Sequence, residues 1–386
     1  MKAFRLLLLI FVLCSCSQNK VVSDLIEIHI DPSKIEEAYD ISNNVEPEWD
    51  IVALETTDEC LISDINGIEY QNNRYYILDK AGSSVFIFDS TGKFISKLYK
   101  KGEGPDEYSE IDAFCVEGKN IWVSDGNMRW LICYDENLKM IDRFSIFEIM
   151  GAYDIKYRNG YLYLATNWSG WNEKNMQLAT YNIQTKEITG LWYVPKISDE
   201  AAHWIKPTQL AQSGSSCLFI HSYCDTIFQI DDEGFVPKYK VIFSERYKDI
   251  PKPIEEYMDP NNKHIITGIE NIKQTKNKII IGYPDYEYLR SAIYDKVSGI
   301  CNVYTVLVYS DLNNLEIYQN TTFFENNNVV SSYPAYMFLG FYEKETDRAK
   351  IQNESYRKKI ESIVSSIDEY SNHVVIRFKI KPDSKL

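Results

Sequence analysis

Arg129 and Trp130 in DGNMRW, Trp168 and Trp171 in TNWSGWNEKN, His203 and Trp204 in AAHWIKP, and Tyr283, Tyr286 and Arg290 in GYPDYEYLR all place aromatic rings beside cationic or amide groups in irregular text. Planar rings stack on sugar faces or anchor a protein partner, and neighbouring Arg, His and Asn side chains add hydrogen bonds. The chemistry this suits is recognition. The candidate ligand residues are Arg129, Trp168, Trp171, His203, Trp204, Tyr286 and Arg290. The competing role is packing, since loop aromatics commonly cover their own loop and Trp130 reads equally well as core.

Patterns for catalysis are thin. The chain has no HExxH, no GxSxG and no EF-hand loop, and its five histidines (29, 203, 221, 264 and 373) are scattered. GEGP at 102–105 has the glycine content to aim backbone N–H groups at a phosphate. The GKS or GKT ending is missing, however, and Asp106 and Glu107 would repel the anion. The stretch therefore reads as a corner between two sheets, with Gly102 and Gly104 expected at positive φ and Pro105 stiffening the turn. Asp79 and Asp125 are expected to tie strand ends to loop backbone.

Charge and cysteine usage bound the class. With 41 basic and 56 acidic side chains the net charge is -15, and removal of Lys2 and Arg5 with a leader would take it to -17. Nucleic-acid binding depends on clustered Lys and Arg, so nucleic acid is not an expected partner. Cysteines 60, 115, 133, 217, 224 and 301 lie in strand-like text without a CxxC pair. They read as buried small hydrophobes. Pairing of Cys115 with Cys133, or of Cys217 with Cys224, is the alternative in an oxidising compartment.

The N-terminal text MKAFRLLLLIFVLCSC has two basic residues, then an apolar run from Leu6 to Leu13. That run falls short of the roughly 20 residues that span a bilayer, so it reads as a cleaved export signal. Leu13-Cys14-Ser15-Cys16 resembles the lipobox of bacterial lipoproteins, which implies cleavage before Cys16 and lipidation of that residue. Several acyl chains on one residue anchor stably where a single chain does not. The implied location is the cell envelope, at the outer membrane. Lys20 stands where an acidic surface-export signal would lie, so either leaflet fits. A soluble periplasmic protein, cut at another small-residue site, is the alternative.

The elements that would hold the candidate residues come from a repeat. YYILDKAGSSVFIFDSTGKFISK (75–97) and IWVSDGNMRWLICYDENLKMIDR (121–143) align at a spacing of 46, matching Asp79 with Asp125 and Asp89 with Asp135. Each copy alternates short apolar runs with Gly, Asn and Asp turns, the mark of antiparallel strands. Four strands per 40 to 50 residues is one propeller blade. Further hairpins at 152–192, 207–243, 269–304, and 328–333 with 373–380 bring the count to six. The fold expected is all-β, a six-bladed β-propeller of four-stranded antiparallel blades with one amphipathic helix near the C-terminus.

Either 25–30 or 49–55 should close the ring beside 373–380, because an open ring would expose a strand edge. The helix is placed within 343–370, with Tyr356, Ile360, Ile363, Val364 and Ile367 on one face. Its expected role is to cover apolar surface, with docking of a partner as the alternative. The division is 1–16 signal peptide and lipobox, 17–44 tether and closing strand, and 45–386 propeller. In such a ring, loops between second and third strands and loops between blades share one face, which gathers the candidate ligand residues.

Residues 97–140 resemble an NHL-type repeat. GEGPDEY with its upstream GKFI, DTIF at 225–228 and HVVIRFKIK at 373–381 resemble the six-bladed β-propeller lipoproteins of Gram-negative envelopes. That resemblance bears on fold and location; with the aromatic loop face, the protein expected is a non-enzymatic envelope lipoprotein, a propeller anchored to the membrane that binds a glycan or an envelope protein partner and needs no cofactor. The alternative is a calcium-dependent propeller hydrolase or lyase. Its metal ligands would come singly from several blades to a site on the central axis.

Overall fold

The computed structural model describes residues 25–47, 49–149, 151–166, 176–193, 209–221, 224–231, 234–244, 268–285, 288–318, 320, 322–325 and 328–381. The two repeat copies form consecutive four-stranded antiparallel sheets. Blade 1 runs Gly67–Gln71, Arg74–Asp79, Ser84–Asp89 and Phe94–Leu98. Blade 2 runs Ala113–Glu117, Asn120–Asp125, Trp130–Tyr134 and Met140–Ser145. The expected turn at Asn72-Asn73 has φ of 52° and 57°, a conformation that asparagine tolerates better than most residues.

Blade 3 comprises Asp154–Arg158, Tyr161–Ala165, Met176–Asn182 and Glu187–Tyr193. Blade 4 comprises Leu210–Ser213, Ser216–Phe219, Thr226–Asp231 and Gly234–Phe243. Blade 5 follows with Asn271–Gln274, Lys278–Asp285, Tyr288–Asp295 and Cys301–Tyr309. Blade 6 takes Thr322–Glu325, Asn328–Tyr333 and Val374–Lys379 from the C-terminal part and Asp50–Ala53 from the N-terminal part. The innermost strands contact one another in sequence, and that of blade 6 meets that of blade 1, so the ring is closed.

Of the two expected closing strands it is the later that closes, pairing Val374 with Ala53 and Arg377 with Asp50. Gly92, at φ +87°, lies against this strand, and a Cβ there would overlap the Ala53 carbonyl oxygen. The earlier strand, Ile26–Ile30, instead adds in parallel to the outer strand of blade 4. Ile35–Asp40, for which the sequence pattern signalled no strand, does the same on blade 5. Both cover edges that would otherwise be unpaired.

The core lies between blades rather than within one sheet. Tyr76, Leu78 and Val85 of blade 1, for example, form one cluster with Phe114, Val123 and Ile132 of blade 2. Each sheet is thus covered on both faces, so inner strands such as RYYILD are almost continuously buried rather than alternating.

Three α-helices lie near the C-terminus among the described residues, α1 (Ala335–Tyr342), α2 (Glu345–Arg348) and α3 (Glu354–Val364), the last being the amphipathic helix expected within 343–370. α1 escaped the amphipathic pattern because AYMFLGFY is apolar almost all round. α3 starts where the Asn353 side chain accepts from the N–H groups of Ser355 and Tyr356 at 3.0 and 3.2 Å. Its buried Tyr356, Ile360 and Ile363 pack with Trp49 against blade 6, so it covers apolar surface as expected.

One expectation is corrected, and the alternative of paired cysteines is set aside. Neither Gly102 nor Gly104 has positive φ. Glycine is needed there because Glu107 folds back, accepting from the Gly104 N–H at 2.7 Å, and a Cβ on Gly102 would overlap its carboxylate. No disulfide joins any of the six cysteines. Cys115 and Cys133 both sit opposite Trp122, on the two strands flanking it. They are therefore two strand spacings apart, about 9 to 10 Å, beyond the reach of a disulfide.

Candidate functional site at the axial mouth

One end of the ring axis is defined by two equivalent hydrogen bonds. The Lys80 N–H donates to the Asn66 side chain at 2.8 Å, and the Gly126 N–H donates to the Asp112 carboxylate at 2.6 Å. Each links the residue just before an innermost strand to the turn between second and third strands. The turns and the connections between blades therefore share this face. A cavity of about 390 Å³ surrounds the axis here, lined at the mouth by Asp64, Asn66, Lys80, Asp112, Tyr153 and Asp154. Glu69, Lys156 and Lys273, two residues into their strands, line it more deeply.

Burial shapes the charges. It pushes the Asp112 carboxyl up to about 6, although the Gly126 N–H works against that. Burial also raises Asp154, opposed by Lys156 and by the N–H groups of Gln209 and Leu210, each donating to it at 2.8 Å. Lys80 is lowered by burial in spite of Asp112, Asp154 and Glu110 nearby. Lys156 lies 3.6 Å from Glu69, whose other oxygen accepts from the Val116 N–H at 2.9 Å. Lys273, 5% exposed, is pushed down to about 7 by burial alone. Burial thus raises the acids and lowers the amines of this cavity, a lining with groups able to donate to and accept from the same polar ligand.

The residues read from the sequence are placed differently. Arg129, at φ 59°, sits on the turn after Asn120–Asp125 with its guanidinium 4.3 Å from the centroid of Phe147, itself 63% exposed. Arg290 lies on the third strand of blade 5, opposite Tyr283. Blades 2 and 5 face each other across the ring, so the fold does not bring Arg129 and Arg290 together. Tyr283 is fully buried and belongs to the core, not to the loop face. Trp168, Trp171, His203, Trp204 and Tyr286, like Cys16, lie outside the described residues.

Asp79 and Asp125 do tie strand ends to loops. Asp79 accepts from the N–H groups of Ser63 and Gly82, each at 2.9 Å. Asp125 accepts from those of Ser109 and Met128 at 2.6 and 2.9 Å. The residues that sequence reasoning missed are Lys80, Asp112, Asp154 and Lys273. The 46-residue spacing aligns Asn66 with Asp112 and marks that position. Lys273 carries only the oddity of a cation in an otherwise uncharged run, NIKQT.

Among the described residues no group of three or more His, Cys, Asp or Glu is arranged to hold a metal ion. Nor is any of their helices long and apolar enough to cross a membrane.

A closed ring of six four-stranded blades around a polar axial mouth defines a six-bladed β-propeller. Residues 26–379 match the family described as Domain of unknown function (DUF4934), and the chain belongs to it. No curated protein matches the sequence. Among solved structures, a candidate exported protein from Bacteroides fragilis NCTC 9343 is 16% identical with a TM-score of 0.67, over 92% of this chain and 99% of that one. A member of the DUF4221 family from Bacteroides vulgatus ATCC 8482 is 13% identical with a TM-score of 0.48, over 88% of this chain and 99% of that one. The first likeness is one of fold; the second supports no inference.

Proposed function

We propose that this protein is a lipid-anchored envelope propeller that binds a glycan at its axial mouth and the loops around it, without chemistry of its own. The observation that carries the reading is the cavity of about 390 Å³ opening on the loop face and lined by groups of both charges. Its volume falls in the range of small-ligand sites. Trp168, Trp171, His203, Trp204 and Tyr286, the candidates read from the sequence, are proposed to contribute their rings to the same ligand. The export signal, the Leu13-Cys14-Ser15-Cys16 lipobox and the resemblance to NHL-like envelope lipoproteins support an anchor at the outer membrane. The described export character of the Bacteroides fragilis neighbour agrees with that location.

The test has two arms. Labelled palmitate should enter the full chain in a Gram-negative host and fail to enter Cys16→Ser. Calorimetric titration of the chain lacking residues 1–16, a deletion that removes no described element, should detect a neutral oligosaccharide. Lys80→Met, and separately Trp168→Ala with Trp171→Ala, should abolish that binding while the melting temperature holds. Absence of binding across neutral and acidic sugars, with a membrane protein co-purifying instead, would replace the glycan by a protein partner. Stabilisation by calcium alone would favour the hydrolase or lyase.

A further inference from the structure

A second cavity, of about 410 Å³, opens at the end of the ring axis opposite the mouth. Asn72, Gly118, Asn159 and Gly214 on its rim all belong to turns between first and second strands, those of blades 1 to 4. Its inner end is Glu69, which also lines the axial cavity behind the mouth. The charge of Glu69 is met by Lys156 at 3.6 Å and by the Val116 N–H at 2.9 Å.

Arg158, the last residue of the innermost strand of blade 3, lines this cavity and is 9% exposed. Its Nη1 donates to the Ile230 carbonyl of blade 4 at 3.2 Å. Among the described residues that is its one hydrogen bond, and no carboxylate lies within ion-pair distance. The Nε–H is enclosed without an acceptor, so Nη2 is the nitrogen left for a ligand. A guanidinium keeps its charge in a protein, and a buried charge without a counter-charge is costly.

Gln212, on the innermost strand of blade 4 and 7% exposed, lines the cavity beside it. Among the described residues its amide makes no hydrogen bond, and its Oε1 is enclosed. Gln274 of blade 5 holds the matching register position, opposite Ile279 as Gln212 is opposite Cys217. Its Nε2 donates to the Ala211 and Ser216 carbonyls of blade 4, the second at 3.1 Å. Gln71 ties blade 1 to blade 2 in a similar way, donating to the Val116 carbonyl at 2.9 Å. The Gln212 amide is not spent on such a tie. With Oε1 turned inward its Nε2 faces the cavity; the reverse orientation would enclose two N–H donors in place of one oxygen, a larger loss.

We infer that Arg158 and Gln212 form a site for the carboxylate of a small organic acid, separate from the mouth and independent of what binds there. One carboxylate oxygen accepts from Arg158 Nη2 and the other from Gln212 Nε2, and the anion supplies the charge that Arg158 lacks. A hydroxyl would serve the amide and leave the cation unmatched. Glu69 at the inner end and the net charge of -15 oppose a second negative charge. A monocarboxylate therefore fits better than a phosphate or a polyanion. The cavity is of the size that small molecules occupy.

The experiment titrates sodium acetate, a minimal carrier of this chemistry, into the chain lacking residues 1–16 and follows the heat, with acetamide as the neutral isostere. Acetate should bind at millimolar concentration and more weakly as sodium chloride is raised. Acetamide should bind roughly tenfold more weakly or not at all. Arg158→Leu should lower acetate affinity roughly tenfold. Gln212→Leu should lower it about fivefold, and because that amide makes no hydrogen bond in the fold, the melting temperature should hold. If loss of the Ile230 bond keeps Arg158→Leu from folding, Gln212→Leu carries the test. Absence of acetate binding, acetamide binding as tightly as acetate, or unchanged acetate affinity in either folded variant overturns the site.

Discussion

The N–H of Ile62 donates a 2.9 Å hydrogen bond to the side-chain oxygen of Asn372, a residue 310 positions away. The same amide donates to the carbonyls of Glu55 and Cys60 at 2.7 and 2.8 Å. Asn372 is 2% exposed, so these bonds are shielded from water. They fasten the chain leaving the closing strand to the loop that precedes Val374–Lys379, and so lock the ring. Asn372→Ala should cost about 2–4 kcal/mol, because three buried backbone groups lose their partner at once. Urea unfolding measures this, and a loss under about 0.5 kcal/mol would show that water replaces the amide.

Asn66 and Asp112 do the same structural work 46 residues apart, so amide can replace acid at the second site. With its carboxyl raised to about 6, Asp112 binds its proton more tightly in the folded chain than in the unfolded one. Its contribution to stability therefore falls as pH rises from about 4 to 6, and the full penalty is present above 6. Asp112→Asn should be more stable than the parent at pH 7.5 by about 1–2 kcal/mol, with the gain vanishing near pH 4. Equal gains at both values would show that relief of charge is not the cause.

The ligand-free chain should show the opposite profile at Lys273. The folded state releases that proton near 7, the unfolded state only near 10.5, so the penalty is complete below 7 and fades as pH rises toward 10.5. Lys273→Met should raise the melting temperature by several degrees at pH 6 and by much less at pH 10. A pH-independent difference would mean that the amine is hydrated in the folded chain.

Trp49 is 5% exposed, and its ring lies 4.7 Å from that of Tyr309, 5.8 Å from Tyr356 and 5.5 Å from Phe378. It joins the closing strand, blade 5, blade 6 and α3 in one cluster. Trp49→Ala should cost about 3–5 kcal/mol, the range for deleting a large buried aromatic. Loss of α3 signal before the sheet signal on heating would show that the helix is held mainly by this ring.

The local features of the fold were legible because local chemistry decides them. Asp79 and Asp125 mark strand ends that need an acceptor for loop N–H groups, and Asn72-Asn73 marks a turn with positive φ. The repeat in 75–143 displays one blade twice. α1 was not legible, since AYMFLGFY is apolar almost all round and has no polar face to reveal its period, although only Ala335, Phe338 and Tyr342 of it are buried, and Ile35–Asp40 is a strand only because blade 5 offers it an edge.

The sequence by itself determined the blade, the number of blades and the class of fold, since strands, turns and alternation are set by neighbours a few residues away. Only the tertiary structure decided what surrounds the axis. The blades converge on one axis, so Lys80, Asp112, Asp154 and Lys273 meet from four blades; the 46-residue repeat marks Asp112 alone, and no spacing announces the other three. Their altered proton affinities come from the burial that ring closure creates, a property that no single segment possesses.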